Sequence, residues 1–504
     1  MEQGLRPSVV YPLQRAASLF PGRPVVGPDG RVTYGEMLGR VRRLAGALAG
    51  LGVGRGDFLA VIDFNTIRFM ELAYAAALLN AVLVPINYRQ PPSIVADIMG
   101  EARPKLVLYS KPFEALAGLA GQSRPVDLEG YGALLESGEP HAGEPDPDAD
   151  YVLLYTSGTT GRPKGVLYPQ WKMVLGGLSI AWQLSSYETP ARLSSGDTML
   201  SLIPMFHILS WGSIFIAPYL GAKLVFLEKF DPRAFAAAVR GEGVTWFNAV
   251  PTMLYMLLEA GAPLEGLKAL VGGSPLPESL WRRLRERGLR VSMIYGATDM
   301  LAASITVTTD HTSPDEPPAT THPVPFAELR VVRGDGTPAP PGELGEILYR
   351  SPWMPSGYYR RPEKTREAFR GGWFHTGDIG VATPDGGVRV LDRVKDAVKS
   401  GGEWIPTSIL ESIIGEVEGV RLAAVVPVEH EKWGERPVAV YTGTASPEEV
   451  RRHLERAVEE GRIAKWWMPD EIIRVEELPL TSTGKINKLD LRDTVRRLLG
   501  SRGR

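Results

Sequence analysis

The chain contains no cysteine. That absence removes a disulfide framework, a thiol nucleophile and every cysteine-ligated zinc site from consideration. An excess of one charge is missing too. The 56 Lys and Arg residues against 58 Asp and Glu leave a formal net charge of −2, so nothing in the balance draws the chain to nucleic acid or to an anionic membrane surface. The opening residues MEQGLRPSVVYPLQRAASLF lack the continuous apolar core of a secretory signal. The most apolar stretch, FMELAYAAALLNAVLVP at 69–85, is interrupted by Glu71 and Asn80 and closed by Pro85, which predicts a buried helix running into a strand rather than a membrane span. Internal repeats and low-complexity tracts are lacking, and only GEPHAGEPDPDAD at 138–150 reads as a linker.

What is present is a 504-residue chain with 44% hydrophobic and 23% charged residues, the balance of a globular protein too long for one ordinary core. From about Thr198 onward a short β-type run is followed by a glycine- or proline-marked loop and then a helical stretch, repeatedly. VTWFNAV leads to Pro251 at a helix start with Gly261 placed to end it; LKALV leads to GGSPLP and then ESLWRRLRERG; VSMIY leads to GATD. This alternation implies parallel α/β layers, whose ligands bind outside the carboxyl ends of the strands. Between roughly Val324 and Asp392 the grammar changes to short strands broken by GDG, PPGELG and PDGG, which reads as antiparallel β structure. The last hundred or so residues carry strands (RLAAVVPV, PVAVYTG) and a helix (PEEVRRHLERAVEEG) of their own, enough for a small α+β domain.

The segment YTSGTTGRPKG, 155–165, follows the apolar run YVLL and puts three glycines, four Ser/Thr hydroxyls and a lysine into one short stretch. Glycines let backbone N–H groups converge on phosphate oxygens, while hydroxyls and a lysine add donors and positive charge. A surface linker has a similar composition. A Walker A loop is excluded, since Gly158, Gly161 and Lys164 are spaced G-x-x-G-x-x-K and Gly165 follows the lysine.

With YTSGTTGRPKG, GGSPLP, YGATD, FHTGD, DRVKDAVKSGGEWI and PLTSTGKI in this order, the chain resembles the adenylate-forming (AMP-binding) superfamily over nearly its whole length. PMFHILSWG, SGGEWI and AKWWMPD resemble the medium- and long-chain fatty acyl-CoA synthetases in particular. The resemblance implies an α/β fold. A large N-terminal domain, 1–392, would combine parallel α/β layers with an antiparallel β region, and a small mobile α+β domain, 393–504, would carry the catalytic lysine. It also implies a fatty acid–CoA ligase, which first joins a fatty acid to AMP from ATP with release of pyrophosphate and then transfers the acyl group to coenzyme A. The expected cofactors are ATP, Mg2+ and coenzyme A. The expected partners are these small molecules, in the cytoplasm, with no nucleic acid and no integral membrane segment; a homodimer is compatible with the pattern.

Carried over residue by residue, Thr156, Ser157, Gly158, Thr159, Thr160, Gly161 and Lys164 would cradle the β- and γ-phosphates. Gly272, Gly273, Ser274, Tyr295, Gly296, Ala297 and Thr298 would line the adenine, with Tyr295 as a stacking face, and Asp378 and Arg393 would hold the ribose hydroxyls. Lys485 would bridge the incoming carboxylate and the α-phosphate. Lys395 would be the hinge of the C-terminal domain, Ser400, Gly401 and Gly402 would line the coenzyme A tunnel, and Lys399 would enter the site in the second half-reaction. His207 and Trp211, four apart, share one face if their segment is helical, His207 bordering the acyl-adenylate and Trp211 the mouth of an acyl pocket. Thr156 and Asp299 are the expected Mg2+ ligands. Two positions depart from the family pattern: Asp299 stands where glutamate is usual, and His375 where arginine or lysine is commoner. Two other functions share these motifs, a stand-alone enzyme loading a carrier protein and a nucleotide binder without turnover. A CoA ligase for another carboxylic acid is the remaining alternative.

Overall fold

The computed structural model describes residues 6–156, 163–301, 303–313, 315–481 and 485–502, without the side chains at 209, 211 and 500–502. Two largely parallel sheets form the body of the chain. The six-stranded sheet runs in the order Arg124–Asp127, Leu106–Tyr109, Phe58–Ile62, Val82–Pro85, Asp150–Tyr155 and Gly165–Pro169, and only the last pair is antiparallel. The nine-stranded sheet has a parallel centre. Arg290–Tyr295, Lys268–Gly272, Trp246–Ala249, Thr198–Ser201, Lys223–Phe226 and Pro24–Gly27 lie side by side in it.

The expected α/β alternation from Thr198 onward is therefore one of two such layers. The four central strands of the earlier one are four to six residues long and almost wholly buried. Strands buried on both faces carry no alternating pattern and read like pieces of buried helix. Residues 69–85 form the expected helix and strand: Thr66 caps Ile67–Leu78 by accepting the Phe69 N–H, Asn80 turns at φ +56°, and Val82–Pro85 enters the sheet. No described helix is long and apolar enough to cross a membrane.

Helices Ile67–Leu78, Gln170–Ser186 and Ile208–Leu220 share one apolar core with side chains of both sheets. Within it the Tyr74 hydroxyl donates to the Ile214 carbonyl at 2.5 Å, and the Tyr74 and Phe215 rings meet edge to face at 6.4 Å. The polar tip of a buried tyrosine is thus satisfied by backbone, which fixes the relation of the helices that carry it.

An antiparallel sheet follows, of Glu328–Val332, Leu344–Arg350, Trp373–Ala382, Phe369–Arg370 and Val388–Arg393. After residue 397 the chain builds another sheet with its own apolar clusters. It comprises Val398–Ser400, Glu403–Ile405, Val420–His430, Gly434–Gly443 and Glu471–Val475, with helices Thr407–Ile414, Pro447–Glu459 and Lys488–Arg502 packed on it. A capping box between Ser446 and Glu449 starts Pro447–Glu459. This C-terminal part rests on the body through the Arg421 guanidinium on Glu259 at 2.7 Å and the Glu278 N–H on Ser412 Oγ at 3.3 Å.

Candidate active site

The loop after Asp150–Tyr155 is closed at its base by two hydrogen bonds. The Thr156 N–H donates to the Lys164 carbonyl at 2.9 Å and the Lys164 N–H to Thr156 Oγ1 at 3.2 Å. Ser157, Gly158, Thr159, Thr160 and Gly161 lie outside the described residues. Lys164 turns inward, its ammonium 3.9 Å from the centre of the Tyr358 ring, and burial lowers its pKa against the opposing pull of Asp299. Asp299 comes from the loop that follows Arg290–Tyr295, and the Tyr168 hydroxyl ties that loop to Gly165–Pro169 by donating to the Thr298 carbonyl at 2.7 Å.

Asp299 is 7% exposed, and burial pushes its carboxyl pKa up while Tyr358 and the charge of Lys164 oppose the shift. Its Oδ1 has no hydrogen-bond partner among the described residues. A buried carboxylate oxygen without a donor is costly unless something cationic takes it, and a hard divalent cation suits it. The described residues hold no group of three His, Asp or Glu side chains around one point, so a cation here would draw its remaining ligands from water or from phosphate oxygens. Thr156 Oγ1, the other expected metal ligand, accepts the Lys164 N–H.

Asp378 and Arg393 face each other in register across adjacent strands, with Nε 3.2 Å from Oδ1. The Tyr295 hydroxyl donates to the other carboxylate oxygen at 2.8 Å. Burial raises the Asp378 pKa, Arg393 opposes it, and Asp378 in turn holds Arg393 charged. A bulge aims the carboxylate. The register shifts between Glu346 and Leu348, so that 376–378 oppose Ile347 alone. Thr376 Oγ1 donates to the Ile347 carbonyl at 2.6 Å, and Gly377, at φ +67°, donates its N–H to Glu346 Oε1 at 3.2 Å. His375 does not face Asp378; its Nδ1 lies 3.0 Å from Glu346 Oε2, with Arg370 on the other ring nitrogen.

Lys485 is brought to the same place from the far end of the sequence. Burial and the Arg393 charge lower its pKa to about 8, with Asp378 opposing. Gly273 makes room for it: this residue has φ +92°, and a Cβ there would stand 2.6 Å from Lys485 Cε. Gly272 ends its strand, and Ser274 and Gly296 are exposed while Tyr295, Ala297 and Thr298 are half-buried. His207 also adjoins this group. Burial and then the Lys485 charge depress its imidazole to about 3, so it is neutral at neutral pH.

The shared face of His207 and Trp211 is expected on condition that their segment is helical, and the helix starts at Ile208, one residue after His207. His207 lies in the turn before Ile208–Leu220, its N–H on the Pro204 carbonyl at 2.9 Å and its own carbonyl accepting the Ser210 N–H at 2.9 Å. Trp211 falls in the first turn, with its side chain outside the described residues.

The remaining candidates lie in the C-terminal part. Lys395 sits in a turn in which the Asp396 and Ala397 N–H groups donate to the Arg393 carbonyl at 2.9 and 2.8 Å, and Arg492 donates to the Lys395 carbonyl. Burial and Arg393 lower the Lys395 pKa to about 8. Lys399 is not brought to Lys485: its N–H meets Glu435 at 2.8 Å and its ammonium lies 5.3 Å from the Trp404 ring. Ser400 is buried and accepts from Arg436, while Gly401 (φ +61°) and Gly402 (φ +93°) make the hairpin turn beside it. Sequence reasoning missed Tyr358, Glu346 and the pair Lys488–Glu411 at 2.6 Å. No local pattern marks these side chains, because each meets its partner from a distant stretch of chain.

A parallel α/β body with a phosphate-type loop, a carboxylate–arginine pair and a lysine delivered by a separate C-terminal unit defines a nucleotide-handling enzyme. Residues 13–359 match the family described as AMP-binding enzyme, and residues 410–485 match its C-terminal domain. The chain belongs to this family, and within the adenylate-forming superfamily it is an acyl-CoA synthetase. It is 36% identical to the long-chain-fatty-acid–CoA ligase of Thermus thermophilus, with 97% of this chain and 95% of that relative covered. Identity to the indoleacetate–CoA ligase of Aromatoleum aromaticum is 31%, over 96% and 98% of the two chains. Among solved structures, o-succinylbenzoate coenzyme A synthetase from Bacillus subtilis in complex with ATP and magnesium ion superposes with a TM-score of 0.83 at 27% identity, covering 96% and 99%.

Proposed function

We propose that the chain is an AMP-forming fatty acid–CoA ligase in which Lys485 serves the first half-reaction. The observation that carries this reading is the meeting of Lys485 with Asp378, Arg393 and Gly273, residues from three separate sheets and loops, in one half-buried cluster. A carboxylate is a poor electrophile. Joining it to AMP requires neutralising two anions as they approach, and a buried ammonium beside the nucleotide meets that demand. In this reading Asp378 accepts the ribose hydroxyls, Arg393 keeps that carboxylate ionised, and Tyr295, Gly272, Ser274, Gly296, Ala297 and Thr298 frame the base. Lys164 and the loop from Thr156 to Gly161 hold the phosphates that leave as pyrophosphate. Asp299 would hold Mg2+, which when bound supplies positive charge to the phosphates. Neutral His207 borders the acyl group without adding a charge that would compete with Lys485.

Coenzyme A needs the same carbonyl after adenylation, while Lys485 occupies the approach. We therefore divide the chain at 392/393 and assign the turn at Lys395 as the hinge that withdraws Lys485 and turns Lys399, Ser400, Gly401 and Gly402 inward. Every residue given a role lies in one chain, so the proposal needs no second copy, and a cytoplasmic location follows from the supply of ATP and coenzyme A. The similarity to an indoleacetate–CoA ligase favours a second reading, a ligase for an aryl acid. A panel of fatty acids from short to long chain, with indoleacetate and other aryl acids, separates the two through acid-dependent ATP–pyrophosphate exchange. Exchange supported by the aryl acids alone refutes the fatty acid assignment.

A further inference from the structure

Tyr358 stands between the two groups assigned to phosphate and metal, and neither it nor its surroundings figure in that assignment. It is 6% exposed and sits against the strand that leaves the phosphate loop: Tyr358 forms a bridge with Val166, and the Tyr359 N–H donates to the Gly165 carbonyl at 2.8 Å. Its own N–H donates to Thr365 Oγ1 at 2.9 Å, and its ring meets Phe369 edge to face at 5.7 Å. Gly357 before it has φ +147°, and a Cβ there would stand 2.2 Å from Thr365 Cγ2, so a glycine is needed for the chain to deliver this side chain.

With its backbone tied to Val166 and Thr365 and its ring against Phe369, the side chain is held in place, and two functional groups meet it. The Lys164 ammonium lies 3.9 Å from the ring centre, within the range of a cation–π contact. The Tyr358 hydroxyl is the side-chain group that most favours the ionised Asp299 carboxyl, whose Oδ1 is left without a donor among the described residues. One side chain thus sets the position of the phosphate lysine through its face and that of the carboxylate through its edge.

We infer that Tyr358 is a positioning residue for adenylation, its ring holding Lys164 toward the β- and γ-phosphates of ATP and its hydroxyl fixing Asp299 so that Oδ1 stays open to a divalent cation; this rests on the phosphate-site reading above. The two functions separate by substitution. Tyr358→Phe keeps the ring and removes the hydroxyl, whereas Tyr358→Leu removes both.

The test is ATP binding by titration calorimetry, without Mg2+ and across a Mg2+ series, on the full chain and on Tyr358→Phe, Tyr358→Leu, Lys164→Ala and Asp299→Asn. For Tyr358→Phe the Mg2+-free ATP affinity should stay near the parent value while the Mg2+ midpoint rises about three- to tenfold, the scale of the net contribution of one ordinary hydrogen bond. Tyr358→Leu should in addition weaken Mg2+-free ATP binding by about three- to thirtyfold, the scale of a partly buried cation–π contact. An unchanged Mg2+ midpoint in Tyr358→Phe overturns the hydroxyl's role, and Tyr358→Leu matching Tyr358→Phe without Mg2+ overturns the ring's. If Lys164→Ala and Asp299→Asn alter neither quantity, the phosphate-site reading itself has failed. If they alter both while the tyrosine variants do not, only this inference has. Should Tyr358→Leu not fold, the Mg2+ midpoint of Tyr358→Phe decides.

Discussion

Adding one methyl group at Gly273 should slow the first half-reaction and spare the second. In Gly273→Ala the new Cβ would stand 2.6 Å from Lys485 Cε, 3.1 Å from Nζ and 3.4 Å from Val250 Cγ1. Ordinary carbon contacts begin near 3.5 Å, so the lysine chain has to move by about 1 Å. Displacing a reacting group by that much costs on the order of 10²-fold in rate. The φ of +92° adds about 1–2 kcal/mol of backbone strain, which is paid in stability and not in chemistry. Acid-dependent ATP–pyrophosphate exchange should therefore fall about 10²-fold, while preformed acyl-adenylate still reacts with coenzyme A, because the proposed assignment gives Lys485 no part in that step. A double-mutant cycle isolates the cause: in a Lys485→Ala background the Gly273→Ala change should have little further effect on exchange. Equal damage to both half-reactions, or full additivity in the cycle, refutes a route through Lys485.

Lys485→Ala by itself should lose about 10²–10⁴ of the exchange rate and leave thioester formation from acyl-adenylate intact. Since the lowered pKa of about 8 puts the loss of its charge in an accessible range, kcat/KM for adenylation should fall as pH rises through about 8. Lys485→Arg should run slower with that alkaline limb removed; a limb that persists assigns the titration to another group. Asp299→Asn should raise the Mg2+ requirement for turnover and Asp299→Glu should keep most activity, a result checked by Mg2+ titration of initial rates. Lys395→Pro removes no backbone hydrogen bond among the described residues, since Val394, Asp396 and Ala397 donate those of the turn. It fixes φ near −65° and restricts Val394. This variant should keep ATP–pyrophosphate exchange and largely lose acyl-CoA formation; parent-rate thioester formation removes Lys395 as the hinge.

Sequence by itself determined the kind of chemistry. Hydroxyls, glycines and Lys164 in one loop, Asp378 in its TGD segment and Lys485 near the end are local, and their spacing is readable because each motif is a short backbone shape with its own residue demands. The layer from Thr198 onward was legible for the same reason: glycine or proline follows the strands at 246–249, 268–272 and 290–295. The layer at 58–169 was not, because strands buried on both faces have no polar alternation. Only the tertiary structure decided which motifs meet. It set Gly273 against Lys485 across more than two hundred residues of chain, turned His375 onto Glu346 and away from Asp378, and placed His207 before its helix. Tyr358 touching both Lys164 and Asp299 is the extreme case. Such a contact is fixed by sheet register and by the packing of Thr365 and Phe369, which are long-range quantities that no window of sequence contains.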